Sequence, residues 1–189
     1  MPPLSTSLRS FTEKHRLLFQ VGATPEGAAE FYCFSHDESK TRRYLYAQVW
    51  DQAASTALWV MFNPGTGETE KRRKPTLKRC IEWSRKRGHG SLLICNLTSL
   101  RTKTAKLVPT QESLSETVNF FACELGRSLA SESFVAWGSA ANRREIPREL
   151  IATLDGALCL GTTKHGHPRH PLYVRSATVP HLWRKGSET

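Results

Sequence analysis

The stretch Leu58–Thr66 constrains the fold of this chain most, because an uncharged apolar run, LWVMF, is followed at once by the polar turn NPGT. Short runs of large and β-branched side chains are typical of strands buried on both faces, as in a parallel sheet. Proline fixes φ and removes a donor, and glycine lets the backbone approach a ligand closely. Asn63 therefore stands at the carboxyl end of a central strand, where open α/β sheets bind ligands, although Asn, Pro and Gly are also common in ordinary turns.

Three further apolar runs alternate with helical patterns in the rest of the chain. These runs are Ser91–Asn96, Phe134–Gly138 and Ala157–Leu160. Pro75 suits the first turn of a helix that Gly88 ends, and Thr110 suits the cap of a long helix whose core stripe includes Phe121. Strands that alternate with helices predict an α/β fold, with a central, mostly parallel, four-stranded sheet in one domain over residues 1–189.

The N-terminal part of the chain has a different pattern. Its three strand-like runs are Arg16–Gly22, Ala29–Phe34 and Arg43–Trp50. Aromatic and β-branched residues in partial alternation favour strands, and we expect these to pair in antiparallel fashion beside the main sheet. Residues Met1–Ser10 are polar and contain proline, so we expect a flexible segment there.

The positive charge of the chain is its strongest bulk property. Lys and Arg number 27 against 17 for Asp and Glu, which gives a net charge of +10 and a pI near 9.7. A basic domain of this kind suits a polyanion, most often nucleic acid. We expect no membrane association and a cytoplasmic location, because no apolar stretch could span a bilayer and the first residues lack a signal-peptide pattern.

The five cysteines favour neither disulfides nor a metal site. Their number is odd, no two are close in sequence, and no pair has zinc-ligand spacing. We therefore expect reduced, mostly structural cysteines. We also expect no metal, no cofactor and a monomeric protein.

Three segments that are distant in sequence carry the residues best suited to chemistry. They are Asn63, Asn96 and the segment 164–173, KHGHPRHPLY. Because the carboxyl ends of adjacent strands share one crevice, these segments could meet at one pocket. The basic loop Lys71–Lys74 and the basic helix after it lie beside that pocket in sequence. This position favours contact with phosphate and a merely solvated surface about equally.

These motifs resemble those of the uracil-DNA glycosylase superfamily in order and strand context, from Leu58 to Tyr173. MFNPG at 61–65 is similar to the Gly-Ile-Asn-Pro-Gly motif of mismatch-type members. LLICN at 92–96 is similar to the run whose final Asn reads the base edge. HPRHPL at 167–172 looks like the His-Pro-Ser-Pro-Leu-Ser motif with one residue inserted.

A closer similarity is to a bacterial and phage family of unknown function. Its members share the Asn-Pro turn, a Pro-Thr-x-x-Arg-Cys helix start and the segment Gly-His-Pro-Arg-His-Pro-Leu-Tyr. Many members have an acidic residue before that Pro-Thr, whereas this chain has Lys74. The difference favours anion contact at this loop over a carboxylate role.

The resemblance implies a three-layer α/β/α fold like that of uracil-DNA glycosylases, and a role for each matching residue. Asn63 would hold a water, and His167 or His170 would donate a hydrogen bond to the leaving base. The base-binding residues would be Phe62, Pro64, Gly65, Thr66 and Asn96. The DNA-binding residues would be Lys71, Arg72, Arg73, Lys74, Arg101, Arg169, Leu172, Tyr173 and Arg175, where Leu172 or Tyr173 could enter the duplex beside a flipped base or else pack in the core.

Our hypothesis is that the protein is a DNA glycosylase that removes a damaged, mismatched or 5-modified pyrimidine. The 5-modified pyrimidines include the hypermodified bases of phage DNA. Its partner would be double-stranded or single-stranded DNA, and its role repair by base excision or antiviral defence. Asn63 is a weak base, which leaves open a non-catalytic nucleic-acid-binding module of the same fold. Glu68 or Glu70 could supply a base, although solvated loop carboxylates are the simpler interpretation. A hydrolase of modified nucleotides is the third alternative.

The basic loop generates the first prediction. Neutralising Lys71, Arg72 and Arg73 together should weaken DNA binding uniformly across sequences and flatten the salt slope by roughly one unit for each phosphate that is no longer bound. Fluorescence anisotropy across a salt series measures both quantities. An unchanged slope would show that these side chains face solvent.

Overall fold

A mixed eight-stranded sheet lies at the centre of the molecule in a computed structural model that describes residues 3–67, 75–114, 116–142 and 144–184. Its strands are β1 (Leu18–Ala23), β2 (Ala29–Phe34), β3 (Arg43–Val49), β4 (Thr56–Met61), β5 (Ser91–Asn96), β6 (Glu132–Val135), β7 (Leu158–Cys159) and β8 (His181–Leu182). They are ordered β1-β2-β3-β5-β4-β6-β7-β8 across the sheet. The chain is therefore an α/β protein, as predicted.

The four strands predicted as a parallel series are contiguous and mutually parallel, in the order β5-β4-β6-β7. The fourth of them is only two residues long. The N-terminal strands β1 to β3 continue the same sheet in antiparallel fashion, and β8 adds an antiparallel strand at the other edge. Antiparallel pairings therefore outnumber parallel ones among the described strands, four to three, because β3 also pairs with β5 and β8 with β7 in addition to the two hairpins of β1 to β3.

Helices cover both faces of the sheet. They are α1 (Leu4–Lys14), α2 (Pro75–Lys86), α3 (Thr117–Leu129) and α4 (Arg148–Thr153). Side chains of α1, α3 and α4 enter one apolar core, whereas α2 packs through Cys80 and Trp83 into a second core on the opposite face. All five cysteines are free and buried. Within the described residues no helix is long and apolar enough to cross a bilayer.

The N-terminus differs from the prediction of a flexible segment over Met1–Ser10, because α1 begins at Leu4. Leu8 and Phe11 are three residues apart, so they lie on one face of the helix, and both are buried in the first core. The polar composition of the segment hides this two-residue stripe. Burial of those side chains is what stabilises so short a helix.

Helix α3 starts at Thr117, not near Thr110 as the sequence suggested. The segment before it contains a turn at 110–111, and Arg42 anchors this segment, because its guanidinium binds Glu112 at 2.7 Å and Glu116 at 3.2 Å. The buried face also differs from the predicted stripe, since Phe121 is 40% exposed. Small residues face the sheet instead: a Cβ at Gly126 would lie 2.9 Å from Leu58 Cδ1, so only glycine permits this close approach.

A polar chain joins the amino ends of β4, β5 and β6. Ser55 Oγ lies 2.8 Å from His89 Nδ1, and His89 Nε2 lies 3.1 Å from a carboxylate oxygen of Glu132. Both oxygens of Glu132 also bind the Arg87 guanidinium. Partial burial raises the pKa of Glu132, but the bonds from Arg87 and His89 outweigh it, so the net pKa is lowered. The ionised carboxylate of Glu132 therefore links the amino ends of the three strands.

This chain of contacts predicts a pH-dependent contribution to stability. Glu132→Gln should lower the free energy of unfolding by about 1 kcal/mol at pH 7, because a charge-assisted bond is removed. The lowered pKa means that the wild-type advantage is present above the unfolded-state pKa and disappears as pH falls through the folded-state value. Urea unfolding of both proteins at pH 7 and at about pH 3 measures the difference. An equal difference at both pH values would contradict the assignment.

Candidate functional site

A cleft of about 1270 Å³ opens at the carboxyl ends of β4, β5 and β6. Its walls come from the turn after β4, the start of α2, the loop after β5, the turn after β6 and the C-terminal segment. The lining residues are Arg43, Tyr46, Met61, Phe62, Asn63, Gly65, Thr66, Gly67, Pro75, Thr76, Leu77, Ile94, Asn96, Thr102, Lys103, Thr104, Ala105, Lys106, Trp137, Gly138, Ser139, Ala140, Thr163, Arg169, His170, Leu172 and Tyr173. The three segments predicted to share one pocket therefore meet here.

Asn63 is held in one orientation by the loop after β5. Its Nδ2 donates to Thr102 Oγ1 at 2.8 Å and to the Pro64 carbonyl at 3.0 Å. Thr102 is fixed in turn, because its hydroxyl donates to the Thr104 carbonyl at 2.8 Å. Among the described residues none donates to Asn63 Oδ1. This oxygen is consequently an acceptor that a water or a ligand can occupy.

Asn96, the last residue of β5, lies on the floor of the cleft with only 1% of its surface exposed. Its backbone carbonyl accepts from Asn119 Nδ2 at 2.9 Å, so the main chain is fixed. Its side-chain Nδ2 is buried and has no hydrogen-bond partner among the described residues. Leaving a buried donor unpaired costs about 1–3 kcal/mol, which is typical of a group that a ligand satisfies.

His170 enters the cleft because the turn after β6 leaves room for it. Gly138 has φ +67°, and a Cβ there would lie 3.1 Å from the His170 Cβ. The His170 Nδ1 accepts from the Leu172 amide at 3.3 Å, which leaves the proton of the neutral ring on Nε2. Burial lowers the pKa of His170, so the ring is neutral at pH 7 and Nε2–H is a donor.

His167 has a different environment from the one predicted for a catalytic residue. Its Nδ1 accepts from Trp137 Nε1 at 3.3 Å, and burial, together with His165, lowers its pKa. Among the described residues it is not part of the cleft lining. The geometry thus gives His167 a positioning role for the C-terminal segment, whereas His170 is the histidine that reaches the cleft.

Most of the other residues predicted to bind the base line the cleft. Phe62, Gly65 and Thr66 line it, and a Cβ on Gly65 would meet nothing within 4 Å. Pro64 is buried beside them and does not contribute to the lining of the described cleft.

The predicted DNA-binding residues fall into three groups. Lys71, Arg72, Arg73 and Lys74 lie outside the described residues, as do Glu68 and Glu70. Arg169, Leu172 and Tyr173 line the cleft, and the last two are 40% and 80% exposed, which excludes core packing. The other two arginines lie elsewhere: Arg101 donates to the Lys40 carbonyl at 2.6 Å and covers the Phe34 ring, and Arg175 is exposed away from the lining.

The lining of the cleft is cationic. Arg43, Lys103, Lys106 and Arg169 contribute positive charge, and within the described lining there is no carboxylate. Of these four residues, the sequence analysis predicted only Arg169 as part of the site. The others come from β3 and from the loop after β5, where the local sequence contains no pattern that distinguishes a cleft residue from a solvated cation.

The unpaired amide of Asn96 generates a prediction in which stability and function change in opposite directions. Asn96→Leu should raise the free energy of unfolding by about 1–2 kcal/mol, because it removes an unsatisfied buried donor. Ligand binding in the cleft should disappear. Asn119→Leu is the control: its buried Oδ1 is also unpaired, but its Nδ2 makes two bonds, to the carbonyls of Asn96 and Leu97, so the substitution should destabilise. Urea unfolding decides between these outcomes, and a destabilised Asn96→Leu would assign Asn96 to the structural core.

Comparison with known proteins identifies the family of the chain but no activity. A search of curated proteins gave no significant match, and a search of solved structures gave none either. The model of a family described as "Protein of unknown function (DUF1643)" matches residues 43–172, which is more than half of the chain and includes all but one of the residues that line the cleft. The chain therefore belongs to the DUF1643 family of proteins of unknown function.

Proposed function

We propose that the cleft binds a nucleotide of DNA and hydrolyses the N-glycosidic bond of its base. The observation that carries this proposal is the convergence of three neutral polar groups in one cationic cleft: the acceptor Asn63 Oδ1, the unpaired donor Asn96 Nδ2 and the neutral His170. A nucleotide offers matching chemistry, because its base has hydrogen-bonding edges and its backbone is anionic.

The proposed fold relationship is to the uracil-DNA glycosylases. Support for this relationship comes from the parallel strands β5-β4-β6-β7, which lie within the mixed eight-stranded sheet and have helices on both faces. In this arrangement β4 and β5, which precede Asn63 and end at Asn96, are neighbours. Ligands of open parallel sheets bind outside the carboxyl ends of such strands.

The reaction needs a placed water and stabilisation of the departing base. A water bound at Asn63 Oδ1 would form the new bond to carbon 1′ of the sugar, while the bond from carbon 1′ to the base nitrogen breaks. The electron pair of that bond goes to the base, and the water proton passes to the leaving base. His170 Nε2–H would stabilise the charge on the base as it develops, since a preorganised donor acts most strongly in the transition state.

The weakness of Asn63 as a base sets the expected rate. Without a positioned general base, an enzyme forgoes roughly 10²–10⁴-fold in rate. Such an enzyme would be slow, or would act on bases that already leave easily. The alternative function is a non-catalytic nucleic-acid-binding module, and the carboxylate-free lining of the described cleft is the observation that favours it.

The exposed residues at the rim suit a duplex. Tyr173 and Leu172 project from the same short turn that follows His170. An enzyme that acts on a base in duplex DNA must extrude it, and apolar side chains at the rim can occupy the vacated space. Arg169, whose Nε is held by the Thr162 carbonyl at 3.0 Å, can contact phosphate through its remaining donors.

The open space at Gly65 bears on the choice of base. In the uracil-specific branch of the resembling superfamily, an aromatic residue at the matching position blocks carbon 5 of the pyrimidine. Here a Cβ at this position would meet nothing within 4 Å, so a 5-substituent need not clash. A mismatched thymine or a hypermodified base of phage DNA would fit, which is the basis for a role in repair or antiviral defence.

Base release is the test of the proposed activity. Wild-type protein would be incubated with genomic DNAs of differing modification and with mononucleotides, and released bases identified by mass spectrometry. Base release that His170→Ala and Asn63→Ala abolish supports a glycosylase. The matched control is His165→Ala, an exposed histidine outside the described lining. Salt-dependent DNA binding with no release from any DNA would favour the binding module, and release only from mononucleotides would favour a nucleotide hydrolase.

The open space at Gly65 predicts the effect of placing an aromatic side chain there. Gly65→Tyr should reduce activity on 5-substituted pyrimidines by roughly tenfold or more while affecting uracil much less, because a steric clash worth about 1.4 kcal/mol is tenfold in rate. Uracil serves as the internal control for folding. A wild type that acts only on plain uracil would refute the open-pocket argument.

A further inference from the structure

We propose that the amino terminus of α2 is a phosphate subsite of this cleft, so that the ligand is a phosphorylated nucleotide whose base reaches Asn96 and whose phosphate reaches Thr76. The inference rests on the proposed function in taking the ligand to be a nucleotide. It goes further by assigning the phosphate to a particular helix.

The start of α2 has the properties of an anion site. The helix has twelve residues, and its first three, Pro75, Thr76 and Leu77, line the cleft. Proline at the first position has no N–H to leave unpaired, whereas the next backbone amides have no partner within the helix. Within the described residues of the first turn no acidic side chain offsets the positive end of the helix dipole.

A second observation, independent of the helix, points to a ligand in the same cleft. The Nδ2 of Asn96 lacks a partner among the described residues, although the residue is only 1% exposed. Asn96 ends β5, and Leu77 of α2 packs on the core that contains Ile94 of the same strand. The donor and the helix terminus therefore lie on the same face of the sheet, one at the floor and one at the wall of the cleft.

The helix is held firmly in this position. The Arg79 guanidinium donates to the Val174 carbonyl at 2.5 Å and lies 4.7 Å from the centre of the Trp83 ring. At the other end Lys86 donates to the Ser176 carbonyl at 3.3 Å. These bonds tie α2 to the segment that carries His170. A phosphate at Thr76 would thus meet donors that are already oriented relative to the group acting on the base, which reduces the entropic cost of binding.

The charge of the lining is consistent with this subsite. Lys103, Lys106 and Arg169 line the same cleft, and the described lining contains no carboxylate that would repel an anion. The phosphate could belong to the DNA backbone beside an extruded base or to a free nucleotide. Both present the same chemistry, and binding of a duplex and of a mononucleotide separates the two sources.

Thr76→Glu is the decisive variant. A carboxylate in the first turn of a helix interacts favourably with the helix dipole, so the variant should fold at least as stably as the wild type. The same carboxylate would repel a phosphate. The matched control is Thr117→Glu, which adds the same charge to the first position of α3, outside the described lining. Thermal unfolding of all three proteins would be measured alongside binding.

Binding would be measured with two probes that do not require the preferred base to be known. One is a fluorescent duplex with a tetrahydrofuran abasic-site analogue, and the other is thymidine 5′-monophosphate compared with thymidine. Thr76→Glu should bind the duplex about tenfold more weakly, about 1.4 kcal/mol, than wild type and Thr117→Glu do. Its salt slope should fall by about one unit, because one fewer phosphate is neutralised.

The outcomes distinguish the two phosphate sources. Weakening for the duplex alone assigns the subsite to the DNA backbone, and equal weakening for thymidine 5′-monophosphate, with none for thymidine, extends it to free nucleotides. Thr76→Glu that binds both phosphorylated probes like Thr117→Glu would overturn the inference. If the wild type releases bases but Thr76→Glu binds both probes normally, the glycosylase proposal is supported and this subsite is not. Weakened binding without base release from any DNA would leave the subsite standing without the glycosylase.

Discussion

The parallel pairing of β4 with both of its neighbours is the interaction on which the candidate site depends. In the register of the sheet, Met61 pairs with Asn96 of β5, and Val60 pairs with Val135 of β6. The Leu97 amide continues the ladder to the Met61 carbonyl at 2.9 Å, so the loops leave the sheet at the same height. A slip of one residue would exchange the two faces of a strand and move Asn96 out of the cleft. Register is therefore as important to the site as residue identity.

The second constraint is the close approach of two turns. The Gly138 amide donates to the Pro168 carbonyl at 2.8 Å, which holds the C-terminal segment against the end of β6. A side chain at Gly138 would be strained by the positive φ and would crowd His170. Trp137 adds a bond to His167 from the neighbouring position. One short stretch of chain thus fixes the segment that supplies both His170 and the exposed rim.

The cleft combines two features that oppose stability. A buried amide without a partner is costly, and several cations around one cavity repel one another. Buried polar atoms without a hydrogen-bond partner also occur elsewhere in the described chain, as at Ser133 and Asn142. The Arg42 contacts before α3 and the Glu132 contacts at the amino ends of the strands are, by contrast, well paired. An unpaired buried donor that lines a cationic cleft is a feature expected of functional sites, because a ligand can supply the missing partner.

The sequence by itself determined the series of parallel strands and the turn at Asn63, because burial on both faces demands short apolar runs and a strand must end where polar residues begin. Only the tertiary structure decided which histidine reaches the cleft: His167 and His170 are three residues apart in a segment without periodicity, and the path of the backbone separates them. It likewise decided the addition of Arg43 and Lys106 to the lining, because contacts between distant segments leave no local pattern in either one.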